Sequence, residues 1–220
     1  MAIIKHKGQR VGIFIDTQNL YHSAKNLYRA KVNFGAVVKE AVGNRQLIRA
    51  VAYVIRTESE EEKSFFEALN KSGIETKVKD IRIFAGGAKK ADWDLGMAID
   101  AIAMSSKLDT VILATGDGDF VPVVEYLKYT GGCQVEVISF GKSSAGSLRD
   151  AADDFIDMCD NPAAFLLGFR GGGSRFGIPS LGQRKGSAPT PSEEDDTTIV
   201  EEAGSDDVDP AISMSGEPEK

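Results

Sequence analysis

The chain has 220 residues, of which 42% are hydrophobic and 27% are charged. This length accommodates one α/β domain with an additional segment, since single domains most often run to roughly 100 to 200 residues, and no stretch approaches the ~20 consecutive apolar residues of a membrane-spanning helix. The two cysteines, Cys133 and Cys159, form no CxxC pair and have no histidine partner, which argues against a disulfide framework or a zinc site and favours the cytoplasm.

The net charge of −7 is concentrated near the end of the chain. From Gly168 onward, eleven acidic residues stand against five basic ones, a net of −6, so residues 1–167 carry only −1. The charge sum therefore does not exclude a nucleic-acid partner for the folded part, because a bound metal ion offsets local acidic charge. No export signal is expected, since the apolar run that follows the basic start already ends at Asp16.

Strands alternate with helices from residue 10 onward. Residues 10–16 form a continuous apolar run, which is typical of a strand buried on both faces. Hydrophobic periodicity and end signals predict further strands over 47–56, 74–79, 110–115 and 134–140, and helices over 17–30, 34–42, 60–72, 93–104, 120–129 and 145–158. Parallel strands need helical crossovers, so the alternation predicts a doubly wound α/β fold with a mostly parallel sheet of about five strands.

The predicted organisation has three parts: an N-terminal extension over 1–9, the α/β domain over 10–160 and a tail over 168–220. The tail is rich in glycine, proline and acidic residues and almost lacks aromatic ones. Such a segment buries too little apolar surface to offset its chain entropy, so we predict that it is disordered. Its acidic character leaves a protein partner for the tail open, and assembly into a homo-oligomer is left open as well.

Acidic residues follow two of the predicted strands. Asp16 ends the first strand, with Asn19 one turn into the next helix, and the loop that begins at Thr115 carries Asp117 and Asp119. In open α/β sheets, ligands bind beyond the carboxyl ends of the strands, where the strand order reverses. If these two strands are neighbours, both acidic segments lie at that edge. For any single aspartate, the alternative is a helix cap or a turn residue.

A third acidic segment, Asp92 and Asp94, lies at the start of the helix predicted over 93–104. Carboxylates that converge without histidine or cysteine are hard oxygen ligands, which select Mg²⁺ or Mn²⁺ over zinc or copper. Such ions activate water and stabilise the leaving oxygen of a phosphodiester. The residues alone therefore indicate metal-dependent phosphate chemistry.

Three motifs stand in order along the domain. An apolar strand runs into Asp-x-x-Asn-Leu at 16–20, a helix begins with Lys-Ala-Asp-Trp-Asp at 90–94, and a loop reads Thr-Gly-Asp-Gly-Asp-Phe at 115–120. In sequence, order and separation they resemble the NYN family, the LabA-like (DUF88) branch of the PIN-like nucleases. The resemblance covers roughly residues 10–160 and leaves out the tail.

The resemblance implies a PIN-like sheet that binds Mg²⁺ or Mn²⁺ and cleaves RNA, as a cytoplasmic endoribonuclease of RNA processing or turnover. By this resemblance, the expected metal ligands and catalytic residues are Asp16, Asp92, Asp117 and Asp119. Asn19 is expected to position the site. Asp94 either replaces Asp92 as a ligand or interacts with the helix dipole, and Thr115, where serine is common, keeps a hydroxyl for a metal-bound water or a phosphate. The alternative is an RNA-binding or gene-expression regulatory LabA-like protein with little or no turnover.

Basic residues near the same edge are expected to contact phosphate groups of RNA. These candidates are Arg56, Lys89, Lys90 and Lys142. A solvated surface charge is the alternative for each of them. Trp93 either stacks on a base or packs into the core, and Asp100 is expected to be solvated or salt-bridged. A phosphohydrolase of small phosphoesters is disfavoured, because Asp16 does not begin an Asp-x-Asp pair.

Overall fold

The structure is a computed structural model that describes residues 3, 5–56, 61–80, 82–83, 89–90 and 92–169. For residues 61, 62, 82, 83, 89 and 90, the description is limited to the backbone. All described residues belong to one compact unit, Met1–Arg175. Apart from Gly168 and Phe169, the predicted tail lies outside the described residues.

The described part of the chain contains ten strands and seven α-helices. The strands are β1 (Arg10–Asp16), β2 (Lys31–Val32), β3 (Gln46–Arg56), β4 (Glu75–Asp80), β5 (Arg82–Ile83), β6 (Lys89–Lys90), β7 (Thr110–Ala114), β8 (Gln134–Ser139), β9 (Asp154–Asp157) and β10 (Leu166–Leu167). The helices are α1 (Thr17–Tyr28), α2 (Phe34–Val42), α3 (Glu61–Lys71), α4 (Asp94–Ser105), α5 (Val121–Tyr129), α6 (Gly146–Ala151) and α7 (Pro162–Phe165). Two short 3₁₀ helices are Gly118–Phe120 and Gly141–Ser143.

Six strands form the central sheet in the order β4-β3-β1-β7-β8-β9, and every neighbouring pair is parallel. From β1 the chain moves outward through β3 to β4, and it then returns to the other side of β1 to add β7, β8 and β9. The strand order therefore reverses between β1 and β7, as in doubly wound folds. The predicted α/β class and mostly parallel sheet are confirmed, with six strands instead of about five. The pairs β5–β6 and β2–β10 are antiparallel.

Helices cover both faces of this sheet, which explains the unbroken apolar run of β1. Ile13 and Ile15 belong to a core that includes residues of α1 and α2, whereas Phe14 belongs to a second core with residues of α4 and α5. The packing around Gly12 of β1 leaves no room for a side chain, because an added Cβ would lie 2.5 Å from Leu108 Cδ1. None of the helices in the described ranges is long and apolar enough to cross a membrane.

The sixth strand takes the place of the second half of a predicted helix. The pattern over 145–158 predicts one helix, but α6 ends at Ala151 and β9 follows. Asp153 is held at the start of β8, since its carboxylate accepts from Val135 N at 2.8 Å and its own N–H donates to Val135 O. Phe155 and Ile156 then pair with β8. Pairing with the sheet outweighs the local helical pattern, so the prediction is wrong for this stretch.

A buried ionic network lies toward the amino ends of the strands. Glu136 of β8 is fully buried and accepts from both terminal nitrogens of Arg45, which also donates to Ala41 O and Val42 O at the end of α2. Lys5 of the N-terminal extension lies 3.1 Å from the same carboxylate. The buried charge of Glu136 is therefore neutralised and hydrogen-bonded.

Candidate active site

The carboxyl ends of β1 and β7 lie side by side where the strand order reverses. In the register of this pair, Ile15 is opposite Ala114, so Asp16 and Thr115 come next on adjacent strands. This adjacency is the condition under which the sequence predicts that the two acidic segments converge. Helix α1 and the 3₁₀ helix at Gly118 both begin at this edge, and the dipoles at their N-termini favour anionic groups there.

Asp16 both caps α1 and faces the site. Its Oδ1 accepts from Asn19 N at 3.0 Å, and its Oδ2 accepts from Thr115 Oγ1 at 3.3 Å. Capping and site formation are therefore compatible roles, because each carboxylate oxygen can accept more than one hydrogen bond. The Thr115 hydroxyl ties the end of β7 to this carboxylate.

Asn19 connects α1 to the loop after β7. Its Oδ1 accepts from Gly116 N at 2.9 Å, which supports its predicted positioning role. Glycine is required at 116 by space, since an added Cβ would lie 2.8 Å from Ser144 Oγ and 3.1 Å from Ser144 Cα. The loop is thus fixed on one side by α1 and on the other by the segment after β8.

Asp117 and Asp119 differ in their position on this loop. Asp117 is half-buried, and its Oδ1 accepts from Asp119 N at 3.0 Å, which caps the 3₁₀ helix. Asp119 is exposed. Of the two, Asp117 reaches the interior of the site.

The third acidic segment reaches the same place at the start of α4. Asp94 is half-buried in the first turn of this helix, and Asp92 is exposed two residues earlier. Trp93 between them is held by its indole N–H, which donates to Val54 O at 2.9 Å, and by an edge contact with the Tyr53 ring. The alternative that Trp93 packs against the core therefore fits its contacts.

One cleft of about 200 Å³ unites the three segments. Its lining residues are Asp16, Gln18, Asn19, Tyr53, Ile55, Asp92, Trp93, Asp94 and Asp117. Asp119 does not line the cleft. Four aspartates from three separate parts of the chain thus share one small cleft at the switch point of the sheet.

Two acids of this cleft, Asp16 and Asp94, have pKa values raised by burial and by nearby like charges. Burial raises the pKa of the Asp16 carboxyl, and the hydrogen bonds from Asn19 and Thr115 oppose that rise. Burial is also the main reason that the pKa of Asp94 is raised. Four further carboxylates raise the pKa of Asp94, in decreasing order Asp16, Asp117, Asp92 and Asp119. Asp94 is therefore surrounded by negative charge.

The donor chemistry fits a hard divalent cation, because carboxylate and amide oxygens line the cleft without histidine or cysteine. Among the described residues, however, no three Asp, Glu, His or Cys side chains are grouped closely enough to hold an ion together. Mg²⁺ commonly keeps several waters and uses one or two carboxylates together with substrate phosphates. The cleft fits that hydrated mode of binding better than a closed protein cage.

Of the predicted basic residues, Arg56 and Lys142 do not line the acidic cleft. Arg56 is exposed at the end of β3, pairs with Asp80 at 3.4 Å and borders a different groove beside α3. Lys142 is exposed in the 3₁₀ helix after β8. Lys89 and Lys90 form β6, which pairs with β5, and their side chains lie outside the described residues.

Sequence reasoning missed a cation beside the cleft. Lys79 Nζ lies 4.5 Å from the centroid of the Trp93 ring and donates to Asp92 O at 2.6 Å. Nothing in the sequence distinguishes a lysine near the end of an edge strand from other surface lysines. The contact of Lys79 with Asp92 and Trp93, in the segment before α4, places it beside the cleft.

Tyr53 is a second residue that sequence reasoning missed. It lines the cleft, and its hydroxyl donates to Asp100 Oδ2 at 2.6 Å. Burial raises the pKa of Tyr53 above its ordinary value, so it remains a neutral donor. Asp100 also accepts from Lys77 Nζ at 2.5 Å, which agrees with the predicted salt bridge. Strand periodicity places Tyr53 on the face of Val51, but only the packing of α4 brings it to the cleft.

Comparisons with known proteins agree with this architecture. The family model of the NYN domain matches residues 10–159. The low amplitude and bright protein LabA of Synechococcus elongatus is 27% identical over 162 residues, which cover 69% of this chain and 84% of that protein. A crystal structure of VPA0982 from Vibrio parahaemolyticus, described as a protein of unknown function, is similar with a TM-score of 0.68 and 29% identity, over 75% of this chain and all of the other. The chain therefore belongs to the NYN domain family and is related to its LabA-like branch.

Proposed function

We propose that this protein is a metal-dependent ribonuclease that hydrolyses phosphodiester bonds of RNA at the acidic cleft. The observation that carries the proposal is that four aspartates from three segments line one cleft where the strand order reverses. Membership of the NYN family, whose LabA-like branch resembles the PIN-like nucleases, supports the same class of reaction.

The aspartates in and beside the cleft divide by exposure into an inner and an outer group. Asp16, Asp94 and Asp117 are half-buried and form the inner group, one or two members of which would hold a hydrated Mg²⁺ or Mn²⁺. Asp92 and Asp119 are exposed and would act through metal-bound water or at the mouth of the cleft. The ion, when bound, supplies an activated water and stabilises the leaving oxygen.

Neighbouring residues position these acids and form the walls of the cleft. Asn19 and Thr115 fix the loop that carries Asp117 through the hydrogen bonds to Gly116 and Asp16. Trp93 forms a wall of the cleft. A preorganised set of charges is the arrangement that lowers the barrier of phosphate chemistry, because it requires little rearrangement during the reaction.

A second candidate function is a regulatory RNA-binding protein with little turnover. The observation that favours it is the lack, among the described residues, of three potential ligands grouped closely enough to hold an ion. In such a protein the cleft would bind RNA through one ion without completing the set that cleavage requires.

The proposal is tested by incubating the purified full chain with labelled single-stranded RNA and Mn²⁺ or Mg²⁺. We expect cleavage that EDTA abolishes and that Asp117→Asn abolishes as well, since asparagine keeps the cap of the 3₁₀ helix but removes the charge. Asp109→Asn is the matched control, because Asp109 precedes β7 at the opposite edge of the sheet and pairs with Arg10. Cleavage that persists in Asp117→Asn contradicts the proposal, and metal-dependent binding without cleavage favours the second candidate.

A further inference from the structure

One side of α1 carries a row of polar and basic residues that begins in the cleft. Gln18, His22, Lys25 and Arg29 are spaced by four, three and four residues, which places them on one face of a helix. Gln18 lines the cleft, and the other three are exposed. We name these four residues the α1 stripe. At 1.5 Å of rise per residue it extends about 16 Å from the cleft along the helix.

The α1 stripe lies in the part of the chain that is free of acid. Residues 17–39 contain Lys25, Arg29, Lys31 and Lys39 but no Asp or Glu, although the chain as a whole carries a net charge of −7. No carboxylate within the described ranges forms a salt bridge with Lys25 or Arg29. The positive charge of this face is therefore not neutralised there.

An aromatic ring adjoins the stripe. Tyr21 is 41% exposed, and its ring contacts the imidazole of His22 and lies 5.6 Å below Lys25 Nζ. Proteins that bind single-stranded nucleic acid without sequence preference combine cations along the backbone path with aromatic rings on which bases stack. Both components are present on this one face.

A cationic surface outside the cleft would offset the electrostatic repulsion between the cleft and RNA. A polyanion that approaches four aspartates is repelled, and one bound divalent ion offsets only part of that charge. Cations a short distance away hold the strand without competing for the metal ligands. Interaction with the C-terminal end of the α1 dipole is the alternative role of Lys25 and Arg29, but it does not explain the exposed Tyr21 and His22 earlier in the helix.

We infer that the α1 stripe binds the phosphate backbone of the single-stranded RNA whose scissile bond occupies the cleft. This inference rests on the proposed function for the choice of RNA as the partner. The strand runs from Gln18 at the cleft past His22 to Lys25 and Arg29, with a base stacked on Tyr21.

The test compares two double variants that each remove two positive charges. The stripe variant is Lys25→Gln with Arg29→Asn, since Arg29 has φ +54° and asparagine tolerates this left-handed conformation. The control variant is Lys71→Gln with Lys107→Gln, two exposed lysines that lie before β4 and β7 at the opposite edge of the sheet. Binding of a labelled oligouridylate to the full chain is followed by fluorescence anisotropy over a series of salt concentrations, in EDTA so that metal-dependent cleavage does not occur.

Each lost phosphate contact lowers the slope of log affinity against log salt by about 0.7 for single strands. The stripe variant is therefore expected to lose about 1.4 units of slope and to bind about 10- to 30-fold more weakly near ~0.1 M salt. The control variant is expected to match the parent. Equal slopes for the two variants, or a parent that does not bind the oligonucleotide, overturn the inference.

The outcome is independent of whether the cleft cleaves RNA. A parent that shows stripe-dependent binding in EDTA but no cleavage with Mn²⁺ or Mg²⁺ contradicts the nuclease and leaves the stripe supported. A parent that cleaves, with binding that is unaffected in the stripe variant, contradicts the stripe and leaves the nuclease supported.

Discussion

The carboxylates of the acidic cleft and those toward the amino ends of the strands have opposite kinds of neighbours. Toward the amino ends, Glu136 is paired with Arg45, and Asp109 at the start of β7 is paired with Arg10. At the carboxyl ends, Asp16 is hydrogen-bonded by a backbone amide and a hydroxyl, and Asp94 is surrounded by other acids. Toward the amino ends of the strands, the carboxylates form ion pairs. In the cleft, they keep negative charge that a cation would neutralise.

We infer that this difference in neighbours separates the acids that stabilise the fold from those of the proposed metal site. A buried ion pair with complete hydrogen bonds is neutral as a unit, whereas converging carboxylates oppose folding until a cation binds. Active sites commonly keep such unfavourable charge because the chemistry requires it. Substitutions at the two edges should therefore affect stability and activity in opposite ways.

The largest effect is expected for Asp16→Asn. Asparagine caps a helix as well as aspartate does and removes a buried charge, so stability in EDTA should be equal or higher. RNA cleavage should fall roughly 10³-fold or more, because a group that stabilises charge in the transition state is lost. Cleavage rates and unfolding temperatures of the same preparation check both parts, and a variant that loses activity only by unfolding would contradict the assignment.

Arg45→Met should show the reverse pattern. Removing one partner of a buried pair leaves Glu136 insufficiently compensated, which costs about 3 to 5 kcal/mol of unfolding free energy. Cleavage per folded molecule should be unchanged. Denaturant unfolding measures the loss, and the double variant Arg45→Met with Glu136→Met should recover much of it. No recovery in the double variant would indicate that the cost arises from packing instead of charge.

Gly96→Ala tests the wall of the cleft. Alanine normally stabilises a helix relative to glycine by about 1 kcal/mol, but here its Cβ would lie 2.7 Å from the ring of Trp93. We expect a net loss of about 1 to 3 kcal/mol from this overpacking. Gly146→Ala in α6 is the matched control, since an added Cβ there meets nothing within 4 Å. A stabilised Gly96→Ala would show that the ring moves freely.

Asp109→Asn should have the smallest effect, and it should depend on pH. Hydrogen bonds from Arg10 lower the pKa of Asp109 from 3.8 to about 2. A lowered folded-state pKa stabilises the protein above the unfolded value, and this contribution is lost as the pH falls from about 4 to about 2. The difference in unfolding temperature between parent and variant should therefore shrink over this range. At neutral pH the difference in unfolding temperature is itself small, because solvent screens exposed ion pairs. A difference that grows on acidification contradicts this account.

Much of the fold follows from local patterns in the sequence. The apolar run of β1 and the helix over Phe34–Val42 are found at the predicted bounds. Strand order depends on contacts between distant parts of the chain, so local patterns did not predict that β1 and β7 are neighbours. Strand β9 was missed because contacts of Asp153 with β8, far away in the chain, decide its conformation.

The site was predictable to the extent that its residues follow strand ends. Asp16, Asn19 and Asp117 were expected to lie together because strand ends of a parallel sheet meet at one edge, and they line the same cleft. Lys79 and Tyr53 reach the cleft through the packing of the segment before α4 and of α4 itself, which no sequence signal records. Only the structure shows that Lys79 and Tyr53 lie at the cleft.

The most direct test of the central claim is the unfolding temperature of the parent and of Asp16→Asn as Mn²⁺ is titrated. A ligand that binds the folded state stabilises it by about 2.7 kcal/mol at a concentration of about 100 times its Kd. The account predicts that the parent is progressively stabilised and that Asp16→Asn, although equally or more stable in EDTA, gains little. Equal stabilisation of both proteins, or none in the parent, would contradict the claim that the carboxylates at this edge form a metal centre.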